Sequence, residues 1–459
     1  MTLTINGTSP NGGSVQRLRR TRAWRGAAVA AAVALGLAAC SSSGAGSSTG
    51  GASAQQGWTI PEQDPTATIS VLSILTTKQM QPVINAFEKA HPTIKLKWQT
   101  VPFDALASTV DARVSNKAGD PDVYWADQPR ISALAARGEL EDLTAAFSKN
   151  KDSFAPTAYD AGVYQEKLWA LPIANSTQLL YYNKTLLDKA KVKHPSADPA
   201  ARMTWEDLVV DAKKAKDAGA TYGFTFGQVD RYYQLEALPV SKGGSAGATG
   251  EGNLTPDITS QPWVDAFSWY GKLFADKVSP RGVTPEVSDA NFIAGKSAYM
   301  VQGPWLLPQL TGTKVEWGVA PHPQFAGGKA ATPTGSWSLG MNPFSKNKEA
   351  TAIFMKWMSI DEGSGYIKYF AAPELAANVE GKKLYLAKDV FSSAEGQKAA
   401  KIIDFETANT AVNRLSTVGY IEFEEILNRA FADIRNGSDA KKSLEAASKE
   451  LESAWSKYR

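Results

Sequence analysis

Few residues in this chain are laid out as a reaction centre. Gly243-Gly244-Ser245-Ala246-Gly247 matches G-x-S-x-G, a pattern that mounts a nucleophilic serine on a tight turn from a buried strand into a helix. No apolar strand precedes it here, and Gly250 and Gly252 follow, so the stretch reads as a flexible loop. His91, His194 and His322 are the only histidines, too few for a histidine-based metal cluster. Neither H-E-x-x-H nor C-x-x-C occurs. No catalytic residue, metal or cofactor is expected. A pair of carboxylates working on a glycosidic bond stays open as an alternative, since any two of 46 acids could meet in space. A second kind of chemistry is better supplied. Of 13 tryptophans, all but Trp24 lie beyond residue 39. Flat rings beside hydroxyl- and amide-bearing side chains suit a polyhydroxylated ring, whose C–H faces are apolar and whose hydroxyls both donate and accept.

Such groups need a frame, and the frame legible in the sequence alternates strands with helices. The β-rich apolar run at 68–75 predicts a buried strand. Val83, Ile84 and Phe87 stand at helical spacing and predict a helix over 80–90, stopped by His91-Pro92. Ile94, Leu96 and Trp98 alternate, which predicts a strand over 93–100 and completes a βαβ unit. Further strands are predicted over 120–126, 168–173, 178–182, 222–226, 298–301 and 315–320. Helices are predicted over 104–116, 131–137, 205–218, 263–274, 349–358, 421–435 and 440–458. Thr204-Trp205-Glu206-Asp207 opens one of them like a capping box. The alternation predicts an α/β architecture with a largely parallel sheet.

Cys40, the only cysteine, closes the run GAAVAAAVALGLAAC at 26–40. Arg17, Arg19, Arg20, Arg22 and Arg25 precede it, with no acid among the first 39 residues. A basic leader, a short apolar run and small residues at a cut site are the grammar of an export signal. The run is shorter than the ~20 apolar residues that span a bilayer. Leu37-Ala38-Ala39-Cys40 resembles a bacterial lipobox. That resemblance implies a signal peptide over 1–39 and acylation of Cys40. It also implies a mature chain tied to the outer face of the bacterial cytoplasmic membrane through its lipid anchor only. Residues 41–57 are Gly/Ser-rich and nearly uncharged, so 40–66 is expected to be a flexible tether. Arg19-Arg20 leaves the general and twin-arginine export routes both open. The 420 residues after the leader predict two lobes. Discarding five arginines takes the formal charge from +3 to −2, which leaves no electrostatic footprint for nucleic acid. With Cys40 lipidated no thiol remains for a disulfide, and stability must come from packing.

Several phrases stand in a telling order. They are Phe87-Glu88-Lys89-Ala90-His91-Pro92, Asp120-Pro121-Asp122-Val123-Tyr124-Trp125-Ala126-Asp127, and Leu171-Pro172-Ile173-Ala174 followed by Leu180-Tyr181-Tyr182-Asn183-Lys184. Gly303-Pro304-Trp305 and Pro333-Thr334-Gly335-Ser336-Trp337-Ser338-Leu339-Gly340 complete the series. With the lipobox and the length, they make the chain similar to the extracellular solute-binding lipoproteins of ABC importers, in their carbohydrate-binding, maltose-binding-protein-like group. The resemblance runs from about Ala67 to the end. It implies a two-lobe α/β fold of the periplasmic-binding-protein kind, hinged around a ligand cleft and crossed three times by the chain. Mapped here, lobe 1 takes 67–175 plus 341–372 and lobe 2 takes 176–340 plus 373–459. The crossings fall near 174–177, 335–340 and 371–376. The implied function is capture of a sugar or sugar derivative by hinge closure and delivery to the permease subunits of an ABC transporter, by a monomer that is not an enzyme.

Ligands of α/β sheets sit beyond the carboxyl ends of strands. That puts four loops at the cleft of lobe 1 or its hinge: 76–78, 127–130, 175–178 and 335–337. The resemblance implies polar ligand contacts at Asp127 and Gln128; for Asp127 the alternative is a helix cap. It implies another at Asn175, where the alternative is an Asx turn. Thr77 is either a ligand hydroxyl or a cap, and Ser336 and Trp337 lie at a crossing, in a loop that reads as exposed. From lobe 2 the resemblance implies a stacking Trp305, and an acid and a tyrosine in Asp230-Arg231-Tyr232-Tyr233. Asp230 and Tyr232 are chosen, with the register between Tyr232 and Tyr233 open. Arg414 and Tyr420 precede a helix that closes the cleft in relatives. No tryptophan stands there, which speaks against a long malto-oligosaccharide. The sparse Arg and Lys of these loops speak against a phosphorylated ligand. The competing readings are a lipid-anchored glycoside hydrolase and a scaffold or adhesin without a cleft.

Overall fold

A computed structural model describes residues 58–459, apart from Ser336, Pro373 and the side chain of Asp104. Cys40, the leader and Ser336 therefore lie outside the described residues. The described end of the expected tether is not loose. Trp58 packs on the first hydrophobic core and its indole N–H donates to Glu141 Oε1 at 2.7 Å. Asp64 pairs with His91 Nδ1 at 2.8 Å.

Two separate sheets carry the chain. The first runs in the order Ile94–Thr100, Ala67–Ser73, Val123–Asp127, Trp337–Met341, Ala170–Pro172. Its first three strands are parallel. The helix Thr77–Ala90 joins the first two, burying Met80, Val83, Ile84 and Phe87 on one stripe and closed at its start by a capping box between Thr76 and Gln79. Trp337–Met341 runs antiparallel to both of its neighbours. The second sheet runs Trp317–Pro321, Leu179–Asn183, Ser297–Gln302, Tyr222–Phe226, with only the last pair parallel. The expected largely parallel sheet is thus two mixed sheets. The difference arises because strands entering from the other sheet, such as Trp337–Met341, arrive from the opposite end, which an alternation of strands and helices does not reveal.

Leu179–Asn183 is buried on both faces. Leu179 and Tyr181 join one core while Leu180 and Tyr182 join the other, which is why its sequence lacks a period of two. One face of this sheet is covered by the helices Trp205–Asp217, Gln261–Ala275, Tyr420–Asn436 and Ala440–Trp455. In Tyr420–Asn436 the residues Tyr420, Phe423, Ile426, Leu427, Ala430, Phe431 and Ile434 form the inward stripe, and Gly437 ends the helix in the left-handed conformation.

Two connections between the sheets are short paired strands. Ala174–Asn175 pairs with Leu375–Ala376, and Thr332–Thr334 pairs with Ala411–Asn413. Leu375–Ala376 lies within the third expected crossing, at 371–376. The helix Val379–Leu386 follows it: its cap Asn378 donates to Ser359 O at 3.1 Å, and Gly381 lies against the Gly363 carbonyl. The helix Ala394–Asn409 packs against the Trp317–Pro321 strand of the second sheet. Gly335, between the second pair of strands and the first sheet, has φ +110°. A side chain strains such a backbone. Gly335→Ala is expected to lower the unfolding free energy by about 1–2 kcal/mol, read from urea midpoints; an unchanged midpoint would show that the crossing tolerates another conformation.

Candidate functional site

The carboxyl end of the Val123–Asp127 strand meets the segment that follows Ala411–Asn413. Asp127 does not cap the short 3-10 turn Gln128–Arg130. Its carboxylate instead accepts two hydrogen bonds from Arg414, Nη1 to Oδ2 at 2.9 Å and Nη2 to Oδ1 at 2.5 Å. Both side chains are nearly buried. Burial works against the Arg414 charge, and Asp127, with Tyr420 and Glu424, overrides it and holds the guanidinium protonated well above its ordinary range. Beside this pair Arg130 bonds Glu424, and Ser132 Oγ meets Ser416 Oγ at 2.9 Å. Elements of the first sheet and the helix Tyr420–Asn436 are thus joined by a line of polar contacts.

Aromatic rings flank the same line. The Arg414 guanidinium lies over the Tyr233 ring at 5.0 Å. Tyr233 faces the half-buried Trp305, with centroids 6.4 Å apart and planes tilted by 36°. The Tyr233 hydroxyl lies 2.7 Å from Ser176 Oγ and accepts from Gln178 Nε2 at 3.1 Å; burial pushes its pKa up to about 12, so it stays a neutral phenol. The Trp305 indole packs against Gly303, where a Cβ would run into it. On the other side Trp337 meets Phe103 edge to face at 5.8 Å. Phe103 is 43% exposed, and the Arg231 guanidinium lies over it at 4.2 Å. Arg231 Nη1 in turn donates to Gln228 Oε1 at 2.8 Å. A cavity of about 140 Å³ beside Arg414 is lined by Gln128, Pro129, Asp160, Ala161, Gly335, Asn413, Arg414 and Ser416.

Over residues 74–363 the sequence matches the family model described as bacterial extracellular solute-binding protein. The chain belongs to this family. The maltodextrin-binding protein MdxE of Bacillus subtilis is 26% identical over 92% of this chain and 94% of its own length. An ABC substrate-binding protein of Listeria monocytogenes, solved in complex with cycloalternan, is 25% identical with a TM-score of 0.73, covering 85% of this chain and 99% of that one. The GacH receptor of Streptomyces glaucescens, solved unliganded and with acarbose, is 21% identical with a TM-score of 0.74, over 86% and 100%. The fold of this solute-binding protein is accordingly the two-lobe α/β fold hinged around a cleft, one sheet to each lobe.

Of the residues singled out from the sequence, the solute-binding fold brings Asp127, Gln128, Trp305, Trp337 and Arg414 to one region. Gln128 is buried and its Nε2 donates to Ala174 O at 3.4 Å. Trp337 is not in an exposed loop: it is 8% exposed and begins a strand opposite Asp127. Asn175 serves the hinge, its Oδ1 accepting from Ser176 N at 2.8 Å and Thr334 Oγ1 at 3.0 Å. Thr77 is exposed on the first helical turn, and its neighbour Thr76 is the cap.

Two of the chosen residues are engaged inside lobe 2. Tyr232 is wholly buried in the second core, packed on Phe423, with its hydroxyl donating to Ala246 O at 2.5 Å. Its neighbour Tyr233 faces the rings and amides instead. Asp230 is committed inside lobe 2, accepting from the Tyr270 hydroxyl at 2.8 Å and paired with Arg435 at 2.5 Å. Sequence reasoning did not single out Phe103, and named Ser176 and Arg231 only as members of the loop 175–178 and of the stretch 230–233. The one signal for Phe103 was a bulky ring at the exposed start of a helix. The motif at 243–247 follows a helix, Ala237–Ser241, and leads into the short strand Ala248–Thr249. That is the reverse of the strand-to-helix turn a nucleophile elbow requires, and Ser245 Oγ accepts from Gly247 N at 3.1 Å.

Proposed function

We propose that this solute-binding protein is the carbohydrate-capturing lipoprotein of an ABC importer, anchored through Cys40 outside the cytoplasmic membrane and acting as a monomer. The observation that carries the sugar reading is the set of rings, Trp305 with Tyr233 and Trp337 with Phe103, arranged around Asp127, Gln128, Ser176 and Arg414 where the two lobes meet. Rings offer the apolar contact that sugar C–H faces need, and the forked polar groups read hydroxyls. The names of the relatives, a maltodextrin-binding protein among them, support the same class. Lobe 1 is assigned 67–175 plus 341–372, and lobe 2 176–340 plus 373–459.

The mechanism is a shift between parted and closed lobes. A sugar touching both lobes stabilises the closed form, because only there are both sets of contacts made. The space beside Arg414, about 140 Å³, is well under the roughly 300–1,000 Å³ of small-molecule sites, so the sugar enters with the lobes parted. Closure then shapes an outer surface for the permease subunits. A thermal-shift screen over mono-, di- and oligosaccharides and sugar alcohols is expected to yield a stabilising ligand. Small-angle scattering with that ligand should show compaction, and its incubation with the protein should yield no hydrolysis products. Saturable binding without compaction would refute hinge closure; turnover would refute the carrier reading.

A further inference from the structure

We propose that Asp127, Arg130, Arg414 and Glu424 form a reciprocal latch between the lobes, each lobe contributing one acid and one base. The latch rests on the hinge-closure reading and deepens it. Asp127 ends a strand of the first sheet, and Arg130 closes the turn Gln128–Arg130 that follows. Glu424 stands on the helix Tyr420–Asn436 of lobe 2. Arg414 lies between Ala411–Asn413 and that helix, and its neighbour Leu415 belongs to the second core. The pairs run crosswise. Arg414 of lobe 2 holds Asp127 through both Nη groups, and Arg130 of lobe 1 holds Glu424. All four side chains are largely withdrawn from water. The buried Tyr420 marks where they gather. Its hydroxyl donates to Glu424 Oε1 at 3.2 Å; burial raises its pKa, the two acids add to the rise and the two bases oppose it.

Within each lobe the acid and the base also feel one another. Burial works against the Arg130 charge; Glu424 overrides it, and Asp127 of the same lobe adds to the effect. Arg414 likewise feels Glu424 of its own lobe besides Asp127. The arrangement sets two effects against each other. The two close ion pairs across the seam favour closure. The like-charged diagonals, Asp127 with Glu424 and Arg130 with Arg414, repel across the same seam, and that repulsion is relieved when the lobes part. Each parted lobe also keeps an acid beside a base, so neither is left with a charge lacking a counterion, the costly outcome for groups withdrawn from water. Two acids on one lobe and two bases on the other would make the diagonals attractive and leave both parted lobes charged. The crosswise order therefore joins the lobes without locking them, and the gap between the two forms stays small enough for a ligand to govern.

The test uses the mature chain without sugar, with spin labels at exposed Asn116 of lobe 1 and Asp217 of lobe 2 reporting the distance between lobes. Combining Arg130→Glu with Glu424→Arg keeps both ion pairs but gathers two acids on lobe 1 and two bases on lobe 2. The open population of this exchanged variant is expected to fall about tenfold below that of the unaltered chain. Arg130→Gln and Glu424→Gln serve where the exchanged variant does not fold. Each alone should raise the open population by about three- to tenfold, because a repulsive diagonal is left without the pair that offset it. The two together should raise it less than either alone. An exchanged variant at least as open as the unaltered chain would overturn the latch. So would glutamine variants that lower the urea midpoint without moving the lobe distance, or that open the lobes no less together than singly. One fixed distance in every chain would overturn hinge closure and the latch with it. Because no sugar is added, failure here is distinct from failure of the carbohydrate reading.

Discussion

Replacing Glu406 with alanine is expected to lower the unfolding free energy by about 3–5 kcal/mol, measured by urea denaturation. Glu406 is fully buried in the helix Ala394–Asn409. Its carboxylate accepts from Arg202 Nη1 at 2.5 Å and Nη2 at 3.2 Å, from His322 N at 3.1 Å, from Thr332 Oγ1 at 2.8 Å and from Thr410 Oγ1. Those donors come from four separate stretches, one of them the crossing strand Thr332–Thr334. Alanine removes every acceptor at once and strands the guanidinium of Arg202, itself only 4% exposed. An unpaired buried charge dominates the loss, because each neutral hydrogen bond contributes only about 1 kcal/mol. Glu406→Gln should recover little, since its amide nitrogen turns a donor toward Arg202. Asp404→Ala, two residues away and exposed in its pair with Lys382, should change stability by about 1 kcal/mol or less. A comparable loss in Asp404→Ala and Glu406→Ala would mean that burial of the network is not what sets its strength.

The same helix marks where the sequence stops being readable. Helix Thr77–Ala90 is legible because its buried residues fall on one stripe and its cap is local. In Ala394–Asn409 the buried positions are Gly396, Ala399, Ile402, Ile403 and Glu406. A glycine and a carboxylate interrupt the apolar stripe, since Gly396 is there for close approach to the 390–391 backbone and Glu406 for a partner over two hundred residues away. The site divides in the same way. Asp127, Trp305 and Trp337 were found because phrases around them resemble a family, while the Asp127–Arg414 pairing joins residues 287 apart and no local pattern encodes it. Tyr232 and Tyr233 are adjacent and chemically alike. Which one enters the core depends on Phe423 and Tyr420 of a distant helix, so the register was open until the helices were packed. Trp337 reads as a loop residue between two serines, yet the first sheet closes over it from the Asp127 side.

Trp305→Ala is expected to weaken binding of the sugar found by the thermal-shift screen by roughly 30- to 1,000-fold, the ~2–4 kcal/mol typical of a dominant aromatic contact. The argument is one of position. Trp305 stands half-buried at the end of the Ser297–Gln302 strand, laid on Gly303 and facing Tyr233. The ring lies against Gly303 and faces Tyr233, whose own ring lies under the Arg414 guanidinium. Removing it therefore takes away a preorganised apolar platform while leaving the core closed beneath it, and the melting temperature of the sugar-free protein should move little. Trp337→Ala gives the contrast. That ring is nearly buried against Phe103, so its loss should cost about 3–5 kcal/mol of stability as a cavity. Trp305→Phe keeps a flat ring and should retain most of the affinity. The two tryptophans are thus separable by which quantity moves: affinity at fixed stability for Trp305, stability first for Trp337. Calorimetric titration of folded Trp305→Ala at unchanged affinity would remove this ring from the site, and with it the observation on which the carbohydrate reading leans hardest.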